Sequence, residues 1–250
     1  MTEPRLESSD AALVQALSAA RMRLYLDESS GCVADALRLY RWNVELSGAV
    51  YETLHVVEVA LRNALDGRLR PWNARQVRET GGSFHGADWL IDPAPLLRRV
   101  LGKDLATATR RAEIAVGRSS ARGREITHAD VVAQVGLGTW RFLLPPRNER
   151  KDPGKHRLWV DALSGAFPCS TEPAHALVGD VAAVHALRNR VAHLEPLLRA
   201  GHVERTVASA RRVLAAIDPA VEQWWVGGQR VSAVLARRSS PPAAGRGSVR

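Results

Sequence analysis

An all-α fold is what this sequence predicts, and three observations predict it. Alanine, leucine, valine and arginine dominate while Phe and Tyr number three each, a bias that favours helices over a β-sandwich. Apolar residues recur at three- and four-residue spacings, the period of a helix face. Proline and glycine fall between such stretches, with no internal repeat and no convincing strand. A chain of 250 residues buries a substantial core. The expected organisation is one all-α domain over 1–236, followed by a disordered basic tail over 237–250.

The elements follow in order. "DAALVQALSAARMRLYL" places Leu13, Leu17, Met22 and Leu24 among small residues, with Asp10 as N-cap. Val33 to Leu69 contains no proline and only Gly48 and Gly67 as weak breakers, so one long helix or two nearly collinear ones are expected. "RPWNARQVRETGGSFHGADWLIDPAP" reads as an irregular loop. A helix capped by Asp92 then begins at Pro93 or Pro95 and runs to about Val116. "THADVVAQVGLGTWRFLL" opens on Thr127 as N-cap and stops at Pro145-Pro146, and "HRLWVDALSGAFP" is a short helix closed by Pro168. A long helix starts near Glu172-Pro173 and ends before Pro196, another covers about 202 to 216, and Asp218-Pro219 opens the last. From Arg237 onward "RRSSPPAAGRGSVR" has too little apolar surface to order.

The formal charge of +9 suits a phosphate-rich partner, although an arginine-heavy composition also follows from a GC-rich genome. Cys32 and Cys169 are too few for a disulfide framework and lack metal-site spacing. The polar "MTEPRLESSD" has no apolar core of a signal peptide, and no apolar run is long enough to span a membrane. A cytoplasmic location with no metal, no cofactor and no membrane partner is the expectation.

"HALRNRVAHLEPLL" (185 to 198) carries Arg188, Asn189 and His193 in an otherwise aliphatic helix. Asn189 and His193, four apart, share a face. Arg188 and His193, five apart, stand roughly 140° around the axis, which only a long side chain such as arginine can bridge. Pro196 conflicts with the carbonyl of Ala192, which ends the helix near His193. Those groups suit cleavage of RNA without a metal. An imidazole can take the 2′-hydroxyl proton or supply one to the leaving 5′-oxygen, and a guanidinium can grip two phosphate oxygens. One chain supplies one such histidine, so acid and base from two copies require a symmetric dimer. The other reading is structural, since Arg and His commonly complement the end of a helix.

"LRNRVAHLEPL" resembles the signature of the HEPN superfamily, an arginine, a polar neighbour and a histidine a few positions on. With "LYRWNVELSGAVYETLHVVEVALRNALD" (39 to 66), "VGLGTWRFLL" (135 to 144) and "HRLWVDALSGAFP" (156 to 168), the chain resembles Abi-like (abortive infection) proteins of the actinobacterial type. The resemblance spans about Leu39 to Pro196. It implies a HEPN-like helical bundle with additional helices, and a metal-independent endoribonuclease acting as a toxin or phage-defence effector. The active site would form at a homodimer interface, with Arg188 steadying the phosphate, Asn189 orienting the imidazole and His193 transferring protons. Implied partners are RNA, a second copy, and an antitoxin or phage-derived trigger.

A second "LRN" at Leu61-Arg62-Asn63 has Gly67 where a histidine would stand, so it is no duplicate motif. Its helix carries His55, Glu58 and Arg62 on one stripe, with Glu58 and Arg62 placed to pair at i, i+4. That stripe either fixes helix packing or, with Asn63 and Arg190, lines a cleft for RNA. Trp140 and Arg141 in "GTWRF" invite base stacking, but adjoining Phe142, Leu143 and Leu144 favour core packing, as for Trp224 and Trp225. Leu194 stands where such proteins often carry a second histidine. This departure, with the positive charge, motivates the alternative of a non-catalytic RNA- or nucleotide-binding HEPN module regulated by a partner. A purely structural helical protein is the third reading.

Overall fold

The computed structural model describes residues 3–79, 81–119 and 123–238, with side chains from Ser9 onward, Glu149 excepted. Every named element among them is helical, and Val77 and Phe84 make an isolated antiparallel bridge. The helices are α1 (Glu3–Leu17), α2 (Ala19–Glu28), α3 (Val33–Asn73), α4 (Pro95–Leu101), α5 (Lys103–Arg118), α6 (His128–Gln134) and α7 (Leu137–Leu143). After them come α8 (Pro153–Asp161), α9 (Ala174–Ala192), α10 (Ala200–Ile217), α11 (Pro219–Gly228) and α12 (Val231–Arg237), with 3₁₀ turns at Glu149–Lys151 and Leu163–Ala166. The all-α class is as expected. No helix among the described residues is long and apolar enough to cross a membrane.

Boundaries follow local chemistry. Thr127 caps α6 in a capping box with Asp130, and the Asp218 carboxylate accepts the Ala220 N–H at the start of α11. Four expectations are corrected. Asp10 lies inside α1, and the break comes at Ser18, where φ is +72° and the hydroxyl accepts the Arg21 N–H. The helix expected from Pro93 or Pro95 to about Val116 starts at Pro95 and is interrupted at Gly102, whose φ of +50° favours glycine. Asp92 caps nothing: its carboxylate binds Arg78, His85 and the Gly86 N–H. The expected helix across 127 to 144 is likewise two, α6 and α7, parted at Gly136.

The contacts cluster into two compact units. The first takes α1, α2, α3 up to Thr53, residues Asn189–Glu204, and the chain from Gln229 through α12. Its core is Met22, Tyr25, Leu46, Ala49 and Val50, with Trp42 donating its indole N–H to the Val234 carbonyl. The tail expected to be disordered from Arg237 does not begin there. Arg237 ends α12 and pairs with Glu45, while Arg238 pairs with Glu28 and lies over the Trp42 ring. The rest of that expectation, residues 239–250, lies outside the described residues.

The second unit takes Leu54–Arg188 and Arg205–Gly228. Leu54, Val57, Leu61, Leu65, Leu69 and Trp72 form one buried stripe of α3, spaced three and four apart. From α9, Leu177, Val181, Val184 and Leu187 are buried in the same rhythm. The irregular stretch between Asn73 and Pro95 is fixed by side chains where helical bonds are missing. Asn73 donates to the Gly86 and Asp92 carbonyls and accepts the Ala94 N–H, satisfying backbone groups that no ladder serves.

Candidate active site at the end of helix α9

The end of α9 is built by its backbone. Leu194 has φ of +56°, its N–H bonds the Val191 carbonyl, and the Glu195 N–H bonds the Arg190 carbonyl. That pair of bonds is a Schellman motif with leucine where glycine is usual. The customary apolar contact across it is replaced by an ion pair, Arg190 to Glu195 at 3.2 Å, and Arg190 also donates to the Pro196 carbonyl at 2.6 Å. Arg190, expected to line an RNA cleft, thus spends its guanidinium on the turn. Asn43, buried, accepts the Leu197 N–H at 2.6 Å, and Arg21 donates to the Leu194 carbonyl. His193 is the residue that closes the helix: its N–H bonds the Asn189 carbonyl at 2.9 Å, and the residue is exposed. Asn189 is half-buried. Beside this turn, in the same unit, lies a groove of about 640 Å³ whose walls include Arg21, Tyr40, Ser47, Tyr51, Ala192 and Leu194.

Arg188 belongs to the second unit, where it faces α3. Its Nε lies 3.6 Å from the Glu58 carboxylate, and both side chains are partly exposed. The pairing expected at i, i+4 between Glu58 and Arg62 is replaced by this interhelical one. Arg62 instead has its Nε buried without a hydrogen-bond partner. His55 and Asn63 are exposed on the same helix.

His185, which the sequence reading passed over, stands three residues before Arg188 and therefore on its face of α9. Its Nε2 packs against Gly138 of α7, where even a Cβ would stand only 3.1 Å away. The Phe142 ring meets it edge-on at 6.5 Å. Burial pushes the His185 pKa down from the ordinary imidazole value, the positive charges of Arg141 and Arg188 push it further, and Glu58 works the other way. The signal was available: His185 and Arg188 stand three apart, the spacing of His55 and Glu58 on the stripe of α3 that did draw attention.

Trp140 is fully buried, edge-on to Trp89, so the stacking reading fails for it and core packing holds. Trp225 is buried as expected, whereas Trp224 is 71 % exposed. No protein-family model matches the chain, and neither a curated protein nor a solved structure matches it.

Proposed function

We propose that this chain is a metal-independent endoribonuclease of the HEPN type, acting as a toxin or phage-defence effector, with Arg188, Asn189 and His193 from each of two copies forming its active site. The observation that carries this reading is the state of the motif on α9. The imidazole is exposed on a residue whose backbone is fixed, and the guanidinium, partly exposed, is held by one carboxylate at 3.6 Å.

The chemistry needs little more. One His193 accepts the 2′-hydroxyl proton as that oxygen attacks phosphorus, and the His193 of the other copy protonates the departing 5′-oxygen. The products are a 2′,3′-cyclic phosphate and a free 5′-hydroxyl. Arg188 exchanges Glu58 for phosphate oxygens and offsets the charge gained in the transition state. Asn189 holds the imidazole's orientation.

The test uses the full chain and end-labelled RNA. His193→Ala and Arg188→Ala should each lower cleavage by about a hundredfold or more, and His193→Ala should abolish growth arrest on expression. Undiminished cleavage or toxicity in His193→Ala rejects the assignment. Salt-dependent RNA binding by the unaltered chain without cleavage would select the non-catalytic alternative, which the leucine at 194 favours.

A further inference from the structure

The second unit carries an aromatic surface that the motif on α9 does not account for. Phe142, the last residue but one of α7, is 53 % exposed although it follows the buried Trp140 and precedes the buried Leu143. On a helix, residues two apart point about 200° apart, so burying the Trp140 indole sends Phe142 outward. An exposed phenyl ring on its own is unremarkable. This one is surrounded by cations: the Arg141 guanidinium lies over the ring at 5.0 Å from its centroid, and the Lys155 ammonium at 5.8 Å. The His185 imidazole meets the ring edge-on at 6.5 Å, with Arg188 one turn further along α9. These side chains come from three separate helices, α7, α8 and α9.

We infer that Phe142, Arg141, Lys155 and His185 form a subsite for one nucleotide of single-stranded RNA, with the base on the Phe142 ring and its phosphate held by Arg141 and Lys155. A π face beside a backbone-tracking positive charge is what sequence-tolerant binding of unpaired strands requires. A duplex has no free base face to offer. The cations that now contact the ring are the groups a phosphate would recruit, and the ring area they leave open is available to a base. His185, packed between Gly138 and the edge of the Phe142 ring, flanks the platform on the side of Arg188. A second protein copy is a poorer occupant, because it would have to bring anions to Arg141 and Lys155 as well as an apolar group to the ring.

The inference rests on the ribonuclease reading for the identity of the strand, and the experiment separates the two. A fluorescent single-stranded oligoribonucleotide and a matched duplex are titrated against the full chain carrying His193→Ala, with and without changes at the platform. Phe142→Ala should weaken single-strand binding by about tenfold and leave duplex binding unchanged, whereas Phe142→Trp should bind at least as tightly as phenylalanine. Lys155→Gln should reduce the salt slope of binding by about one. Phe142 is exposed, so these variants should melt with the parent; if Phe142→Ala does not, Phe142→Trp and Lys155→Gln decide. Unchanged single-strand affinity in the Phe142 and Lys155 variants overturns the platform, and so does a Phe142→Ala variant that alters only self-association. If His193→Ala still cleaves while Phe142→Ala loses binding, the catalytic reading falls and the platform stands.

Discussion

Asp66 and Glu58 stand about two turns apart on α3, and each meets a basic side chain from another helix, His128 for the first and Arg188 for the second. One Asp66 oxygen accepts both the Trp89 indole N–H and the His128 Nε2–H at 2.7 Å, and the other imidazole nitrogen accepts the Leu90 N–H. Burial raises the Asp66 pKa, but those two hydrogen bonds together with the nearby charges of His128 and Arg70 outweigh it and hold the carboxyl below its ordinary value. Among the described residues, Glu58 ion-pairs at 3.6 Å with a guanidinium that solvent reaches. The difference teaches how to read charged residues of one helix. A carboxylate used up by short, buried bonds belongs to the fold, and one loosely balancing an accessible cation can give way to a phosphate.

The largest effect that would sharpen this contrast is on stability. Asp66→Ala leaves two buried donors without an acceptor and should cost about 3 kcal/mol, read as a lower urea midpoint at unchanged slope. A variant that unfolds with the parent would break the comparison at its stronger end. Next in size is the acid response. The depressed Asp66 carboxyl contributes stability that is fully present above the usual carboxylate range and is lost as pH falls through the folded value. Asp66→Asn keeps the accepting oxygen, so it should cost about 1 kcal/mol at neutral pH and remove part of the acid-dependent loss. An identical pH profile in both proteins would show that other carboxylates govern it. The smallest effect belongs to Glu58→Gln, which should shift stability by no more than about 0.5 kcal/mol while tightening RNA binding a few-fold at low salt. Destabilisation on the scale of Asp66→Ala would place Glu58 in the fold after all.

Much of this architecture was legible in the sequence wherever a residue has one dominant local use. Thr127, Pro145, Pro196, Asp218 and Pro219 bound helices as expected, because caps and missing N–H groups act within a turn. The breaks at Ser18 and Gly102 were not legible. Serine and glycine are tolerated inside helices, and only their realised φ of +72° and +50° marks them as breaks. Asp92 could not be placed because its partners, Arg78, His85 and the Gly86 N–H, are gathered by an irregular segment with no periodicity to read. At the candidate site, Arg188, Asn189 and His193 were singled out by their place near the end of one helix together with the resemblance to the HEPN signature, since the spacing by itself is a weak pattern. The Glu58–Arg188 pair was hidden because i, i+4 geometry offered Arg62 as a nearer partner, and interhelical packing chose otherwise. Phe142 was hidden by its apolar neighbours, although the opposite directions of positions 140 and 142 contained the answer.

The Leu194 turn has a practical consequence. Since main-chain bonds and the Arg190–Glu195 clasp set the path of the chain there, whatever side chain is installed at 193 will leave from the same Cα along the same vector. That makes the position a ready port for chemical substitution, where imidazole analogues of graded basicity could be exchanged without redrawing the scaffold that carries them.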